Sequence, residues 1–177
     1  MTYTVSEQKE IVEFARLRGI RIVLELDLPG HADIWALGAP PGAFVECSDP
    51  AEAEFKRAYL DVTNPAAYVF YEQLLAEVFS RFPDNVIHLG GDEVGTACWN
   101  SSETVREWLK EHPSISLEQL YPTHMLKAYQ LASKHNRTGQ AWGPSLSAAL
   151  NYSVNATEPD RGTCRILVVS VHLACPV

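Results

Sequence analysis

Two short apolar segments, rich in β-branched residues, each end in polar residues beside glycine. Residues 20–27 read Ile-Arg-Ile-Val-Leu-Glu-Leu-Asp, and residues 86–89 read Val-Ile-His-Leu and run into Gly-Gly-Asp-Glu at 90–93. Nearly continuous apolar character is typical of strands in a parallel sheet that helices cover on both faces. In parallel α/β folds the chemistry lies at the carboxyl ends of the strands. The two polar ends are therefore where a functional site is expected.

Helical patterns alternate with these strands. Thr4 and Glu7 have the spacing of a capping box, and Asn64 followed by Pro65 has the order of an N-cap and a first helical residue. The pattern predicts helices over 6–18, 65–81, 102–111 and 116–134, strands over 20–27 and 86–89, and a weaker strand that ends at 141–142. Strands joined through helices predict an α/β fold with a parallel sheet.

Charge and hydropathy exclude several classes of partner. Lys and Arg number 14 against 22 Asp and Glu, a formal charge of −8, so neither nucleic acid nor an anionic membrane is an expected partner. The longest uncharged apolar run, residues 166–177, is about half the length of a membrane helix. No secretory signal opens the chain, yet four cysteines and four sequons, at Asn100, Asn136, Asn151 and Asn155, favour a secretory compartment. A natural N-terminus that lies outside this chain would reconcile the two.

The acidic pair Asp92 and Glu93 is the sharpest chemical signal. Adjacent residues on an extended backbone point to opposite sides, so the two carboxyls can do separate jobs in one cleft. A carboxyl in a crowded, partly apolar site disfavours its charged form, which suits a general acid. The alternative is a loop whose acids cap the next helix.

The end of the first strand carries Glu25, Asp27 and His31. If the two strands are neighbours, these side chains share an edge with the acidic pair. His31 could then orient a carboxylate or bind a substrate hydroxyl, although a histidine after Pro-Gly is often only a loop residue. For Glu25 and Asp27, a buried ion pair with an arginine is as good an interpretation as catalysis.

Other chemistries lack a motif. The residues Asp27, His31, Asp92 and Glu93 are suitable metal ligands, but no His-Glu-x-x-His or paired histidines fix a geometry, so no metal is expected. Nucleophile elbows and phosphate-binding loops are also absent from the sequence, and no cofactor is expected. Trp35, Trp99 and Trp142 each follow a predicted strand end and favour a carbohydrate cleft, whereas Trp108 lies within a helix and suits a core.

These motifs together resemble the glycoside hydrolase family 20 β-N-acetylhexosaminidases. The resemblance rests on Tyr3-Thr4, on residues 15–21, 25–31 and 88–94, and on Cys98-Trp99. It implies a (β/α)8 barrel, normally of about 250 residues, of which this chain would hold strands three to five with their helices. Residues 1–142 would be the partial catalytic barrel and residues 143–177 a divergent tail.

The resemblance also implies a mechanism and residue roles. The family hydrolyses terminal N-acetyl-β-D-hexosamine residues with retention, and the substrate's 2-acetamido group acts as the nucleophile. Glu93 would be the general acid/base and Asp92 would orient the acetamido group, while His31, Trp142 and Asp27 would bind substrate. The resemblance further implies a disulfide between Cys47 and Cys98.

The expected partners are oligosaccharides or glycoconjugates that contain N-acetylhexosamine, and the expected location is lysosomal or secreted. A dimer of the full-length parent is left open. The alternative function is a truncated, inactive product that binds carbohydrate weakly, because a partial barrel would leave sheet edges unpaired. A metal-dependent hydrolase of the barrel type is a third interpretation, which a chelator would distinguish.

Overall fold

The structure, a computed structural model, describes residues 3–47 and 58–142, and the backbone of residues 166–170. The helices are α1 (Val5–Arg16), α2 (Asp33–Ala36), α3 (Pro65–Arg81), α4 (Ala97–Ser101), α5 (Glu103–Glu111) and α6 (Leu120–Lys134), with a short 3-10 helix at Leu117–Gln119. The strands are β1 (Arg21–Glu25), β2 (Phe44–Glu46), β3 (Ala58–Leu60), β4 (Val86–His88), β5 (Thr138–Gln140) and β6 (Ile166–Ser170). No helix of these ranges is long and apolar enough to cross a bilayer.

The main sheet is parallel, with the strand order β5-β4-β1-β6. Three of its strands, β1, β4 and β5, occur in that order along the chain and are joined through helices, as neighbouring strands of a (β/α)8 barrel are. The predicted α/β fold with parallel strands three to five of a partial barrel is confirmed. The boundary drawn at residue 142 stays a prediction.

The helix starts form as their sequences predict. The Thr4 hydroxyl accepts from the Glu7 backbone N–H while the Glu7 carboxylate accepts from the Thr4 backbone N–H, which completes a capping box. Asn64 caps α3 through the Ala66 N–H, and Pro65 occupies the first helical position. These caps fix the residues at which α1 and α3 begin.

The long segment between β1 and α3 contains structure that the sequence pattern did not predict. The short helix α2 follows β1, and β2 pairs antiparallel with β3 in a separate two-stranded sheet. Cys47, just after β2, forms a disulfide with Cys98 in α4, so the segment is tied to the chain that follows β4. The expected Cys47–Cys98 pairing is therefore present, while Cys164 and Cys175 lie outside the described residues.

One expectation about packing is wrong. Trp35 and Trp99 do not line a cleft: they are 6% and 0% exposed and pack in the core, where the Trp99 indole donates to the Leu60 carbonyl. The sheet continues beyond β1, because β6 adds to this strand in parallel over five residue pairs. Part of the tail thus satisfies backbone groups of the sheet.

One face of α1 stays open. Its apolar side chains Ile11 and Phe14 are 39% and 59% exposed, and Leu17, which follows the helix, is 68% exposed. In a complete barrel each helix packs against the helices beside it. This face of α1 has the apolar character that such a contact requires.

We expect the disulfide to contribute strongly to stability. It closes a sequence separation of 51 residues, and loop-closure entropy for that length amounts to about 4 kcal/mol. The double variant Cys47→Ser, Cys98→Ser should therefore unfold at lower urea concentration, with a loss of about 2–4 kcal/mol. Wild-type protein treated with a reductant is the matched control and should show the same loss; equal midpoints for all three samples would contradict the prediction.

Candidate active site

The carboxyl ends of β1 and β4 lie side by side. The two strands pair in parallel with Glu25 opposite His88, and the Leu26 N–H donates to the His88 carbonyl at 2.9 Å. The residues that follow each strand therefore leave the sheet together. The parallel pairing of β1 with β4 is the backbone arrangement that the predicted proximity of the two polar strand ends requires.

Immediately beyond the strands, the two chains approach closely at Gly90. A Cβ placed on Gly90 would lie 2.5 Å from the Asp27 Cα and would overlap the Asp27 carboxylate, and Gly90 has a φ of +62°. The next residue, Gly91, donates its N–H to Asp27 Oδ1 at 2.8 Å. Only glycine fits this crossing, because the conformation and the space both exclude a side chain.

His31 lies between two of the carboxylates. Its Nε2 is 3.4 Å from Glu93 Oε2 and 3.9 Å from Asp27 Oδ2. The backbones of His31 and Glu93 both have positive φ, +47° and +54°, a region that non-glycine residues rarely occupy. Strained conformations of this kind persist where surrounding contacts hold them and are frequent at active sites.

Asp27 is the group of this cluster with a strongly altered pKa. The pKa of its carboxyl is raised to about 6, chiefly by burial and also by the neighbouring charges of Asp92 and Glu25, against the opposing effects of the Gly91 N–H and His31. A carboxyl with this pKa exchanges a proton near neutral pH. Altered pKa values of this kind are common at functional sites.

One carboxylate oxygen of Asp92 is an unsatisfied hydrogen-bond acceptor in the described part of the chain. Its Oδ1 is buried and has no hydrogen-bond partner in the described part of the chain. Residues 91–95 and Tyr121 line a cavity of about 410 Å³ beside it. A buried carboxylate oxygen without a donor is costly, so a ligand that brings an N–H or O–H would be stabilised here.

A buried pair, His88 and Glu25, lies in the sheet next to the cluster. His88 Nδ1 lies 3.0 Å from Glu25 Oε2, and their side chains are only 7% and 5% exposed. Burial lowers the pKa of His88, and Asp92 opposes that shift. A histidine therefore lies against Glu25, where the sequence suggested an arginine as one possible partner. The ring of His88 also packs edge-on against Trp142, at 4.8 Å between centroids, and Trp142 is 41% exposed.

The cluster has atoms that could hold a metal ion. One ligand atom each from Asp27, His31 and Asp92 lies within 4.8 Å of the others. Two carboxylates and an imidazole suit zinc and similar ions. The cavity and the open Asp92 oxygen equally suit a neutral polar ligand.

Tyr121 is a residue that sequence reasoning missed. It lies at the start of α6, 30 residues from Gly91, and its hydroxyl donates to the Gly91 carbonyl. Nothing in a helical pattern distinguishes a tyrosine that reaches a loop from one that packs in the core, so the sequence carried no signal for it. Of the sequons, Asn100 and Asn136 are exposed, and Asn151 and Asn155 lie outside the described residues.

The family model for the glycosyl hydrolase family 20 catalytic domain matches residues 1–159 of this sequence. The chain belongs to glycosyl hydrolase family 20. The match includes both strand ends and the whole residue cluster described above.

Named relatives agree with this assignment. The chain is 36% identical over 147 residues to β-hexosaminidase 1 of Arabidopsis thaliana, covering 82% of this chain and 25% of the relative. It is 33% identical over 140 residues to the mouse β-hexosaminidase subunit alpha, covering 79% and 26%. The chain thus spans about a quarter of the length of the curated relatives it matches.

Solved structures show the same fold. A family 20 exo-β-N-acetylglucosaminidase from Vibrio harveyi, in complex with N-acetylglucosamine, aligns with a TM-score of 0.65 at 22% identity, covering 95% of this chain and 25% of that one. A chitobiase from Flavobacterium johnsoniae aligns with a TM-score of 0.63 at 29% identity, covering 79% and 22%. Both likenesses are consistent with a partial barrel.

The close approach at Gly90 leads to a stability prediction for the full-length protein. Gly90→Ala should destabilise by about 2–4 kcal/mol, because it combines a strained φ with a clash against Asp27. Gly19→Ala is the matched control: Gly19 has a similar φ of +68°, but a Cβ there meets nothing within 4 Å, so about 1 kcal/mol is expected. Urea unfolding of both variants measures the difference, and equal losses would show that the clash is relieved.

The raised pKa of Asp27 leads to a pH prediction. Between about pH 4 and 6 the folded protein keeps a proton on Asp27 that the unfolded chain releases, so this group's contribution to stability falls as pH rises through that window. Asp27→Asn removes the titration and keeps an oxygen for the Gly91 N–H. The unfolding free energy of the variant should then fall less steeply, by at most about 1.4 kcal/mol per pH unit. Urea titrations at pH 4, 5, 6 and 7 test this, and parallel curves would refute it.

Proposed function

We propose that this chain carries the acid/base and acetamido-orienting residues of a β-N-acetylhexosaminidase that removes terminal N-acetyl-β-D-hexosamine residues with retention. The observation that carries the proposal is the joint placement of Glu93, Asp92 and His31 at the adjoining ends of two parallel strands. Membership of family 20 and the names of its relatives support the reaction class.

In the first step, the carbonyl oxygen of the substrate's 2-acetamido group attacks the anomeric carbon and the glycosidic bond breaks. Glu93 gives its proton to the leaving oxygen, and Asp92 accepts a hydrogen bond from the acetamido N–H and stabilises the positive charge that develops on the ring formed. The buried Oδ1 of Asp92 is a hydrogen-bond acceptor without a donor among the described residues, as this role requires. The product of this step is an oxazolinium ion.

In the second step, water attacks the anomeric carbon and opens the oxazolinium ring. Glu93, now a carboxylate, accepts a proton from that water, so the enzyme ends the cycle as it began. The two attacks occur on opposite faces of the anomeric carbon and together retain its configuration. The His31 imidazole, 3.4 Å from Glu93, supports the acid in both steps.

Trp142 and Asp27 would bind the substrate and shape its pocket. Trp142 is exposed beside His88 and offers an aromatic wall for the acetamido methyl group. Asp27 holds the loop through Gly91 and contributes a carboxyl that is half protonated near pH 6, which suits a hydroxyl-rich ligand. No step requires a metal ion, so a chelator should leave hydrolysis unchanged.

The substrates we propose are oligosaccharides or glycoconjugates with a terminal N-acetylhexosamine. A lysosomal or secreted location fits the Cys47–Cys98 disulfide, since oxidising compartments are where such bonds persist. The exposed sequons at Asn100 and Asn136 are compatible with that route.

The experiment is a substitution of the proposed acid in the full-length protein. Glu93→Gln keeps the shape and removes the proton, so kcat/KM for 4-nitrophenyl N-acetyl-β-D-glucosaminide should fall about 10²–10⁴-fold. Loss of a general acid matters less when the leaving group is already stable, so the 2,4-dinitrophenyl glycoside should lose much less.

Glu107→Gln on the exposed side of α5 is the matched control and should keep wild-type kinetics. If Glu93→Gln and Glu107→Gln hydrolyse both substrates equally well, Glu93 is not the acid.

A further inference from the structure

The loop that carries the acidic pair has an unusual backbone. Gly90, Gly91 and Glu93 all have positive φ, at +62°, +87° and +54°. For Glu93 this conformation is unfavourable relative to the ordinary regions, so contacts elsewhere must hold the loop. The Glu93 side chain is 74% exposed, and packing therefore does little to fix its carboxyl. Its position depends mainly on the backbone at 90–93.

Three separate elements grip that backbone. The Gly91 N–H donates to Asp27 after β1, the Gly90 carbonyl accepts from the Trp142 N–H after β5 at 3.2 Å, and the Gly91 carbonyl accepts from the hydroxyl of Tyr121 in α6. The first two contacts come from the sheet. The third comes from a side chain of a helix and can be removed by deleting one oxygen atom.

The packing of Tyr121 allows its hydroxyl to restrict the movement of the loop. The Tyr121 side chain packs against two clusters of buried residues, one that includes Leu89 and Met125 and one that includes Trp99 and Leu120, so its rotation is restricted. The residue also lines the 410 Å³ cavity together with Asp92 and Glu93. The bonded carbonyl belongs to the peptide that joins Gly91 to Asp92, one residue before Glu93.

We propose that Tyr121 is a positioning residue: its hydrogen bond to the Gly91 carbonyl orients the loop so that the Glu93 carboxyl meets the leaving oxygen of the substrate. This inference rests on the proposed role of Glu93 as the acid. Tyr121 acts through the backbone and takes no part in proton transfer. Misplacing a reacting group by about 1 Å is enough to lower a rate by up to about a hundredfold.

The test is Tyr121→Phe in the full-length protein, which removes the hydroxyl and keeps the ring. We expect kcat for the 4-nitrophenyl glycoside to fall about tenfold with KM within about twofold of wild type. With the 2,4-dinitrophenyl glycoside, whose leaving group needs little protonation, kcat/KM should fall no more than about twofold, because this ratio reports the first step and not the later attack of water, in which Glu93 is the base. A purely structural defect would lower both rates by the same factor.

Tyr129→Phe is the matched control. Tyr129 lies two turns further along α6, and its buried hydroxyl has no hydrogen-bond partner among the described residues. This variant loses the same atom and should keep wild-type kinetics with both substrates. Thermal unfolding of both variants, expected within a few degrees of wild type, confirms that each is folded.

Two results would overturn the inference: Tyr121→Phe kinetics within twofold of wild type on the 4-nitrophenyl substrate, or an equal loss on both substrates. Failure here is separable from failure of the proposed function. If Glu93→Gln loses activity while Tyr121→Phe does not, the acid stands and the positioning role falls. If Glu93→Gln remains active, the proposed acid itself is wrong.

Discussion

The close approach of two chains beyond β1 and β4 is the constraint on which the candidate site depends. Parallel pairing alone brings the strand ends to one edge of the sheet, but at the usual strand spacing of about 4.8 Å. At Gly90 the loop after β4 crosses closer to Asp27 than any side chain allows, and the Gly91 N–H then reaches the Asp27 carboxylate. That single crossing sets the direction in which Asp92 and Glu93 leave the sheet.

The electrostatics of the cluster make sense only in combination with this geometry. The carboxylates of Asp27, Asp92 and Glu93 lie close together around the His31 imidazole, so their negative charges repel one another. Burial makes the charged form of Asp27 still less favourable. The structure limits that cost by raising the pKa of Asp27, so that the site carries less negative charge near pH 6. A site built for stability alone would not assemble these groups. The proposed mechanism gives two of these carboxyls a use, since Glu93 would protonate a leaving group and Asp92 would accept from an N–H.

Sequence reasoning could reach the parts of this arrangement that local chemistry encodes. The β-branched runs, the Thr4 capping box and the Asn64-Pro65 helix start each act within a few residues, so they were readable one by one. The juxtaposition of Asp27 with the acidic pair followed from a single further assumption, that the two strands are neighbours. The Cys47–Cys98 pairing came from the family resemblance, since spacing alone leaves cysteine connectivity undetermined.

What could not be predicted depends on contacts between distant positions. Trp35 and Trp99 follow strand ends just as Trp142 does, yet they point into the core, because the direction of a side chain after a strand is decided by the loop it enters. The pairing of β2 with β3 involves strands of three residues, too short for a period to register. The same limit hides Tyr121: its hydrogen bond joins residues 30 positions apart. Local sequence thus encodes the framework of the site, whereas contacts such as the hydrogen bond from Tyr121 to Gly91 form only when α6 packs against the loop after β4.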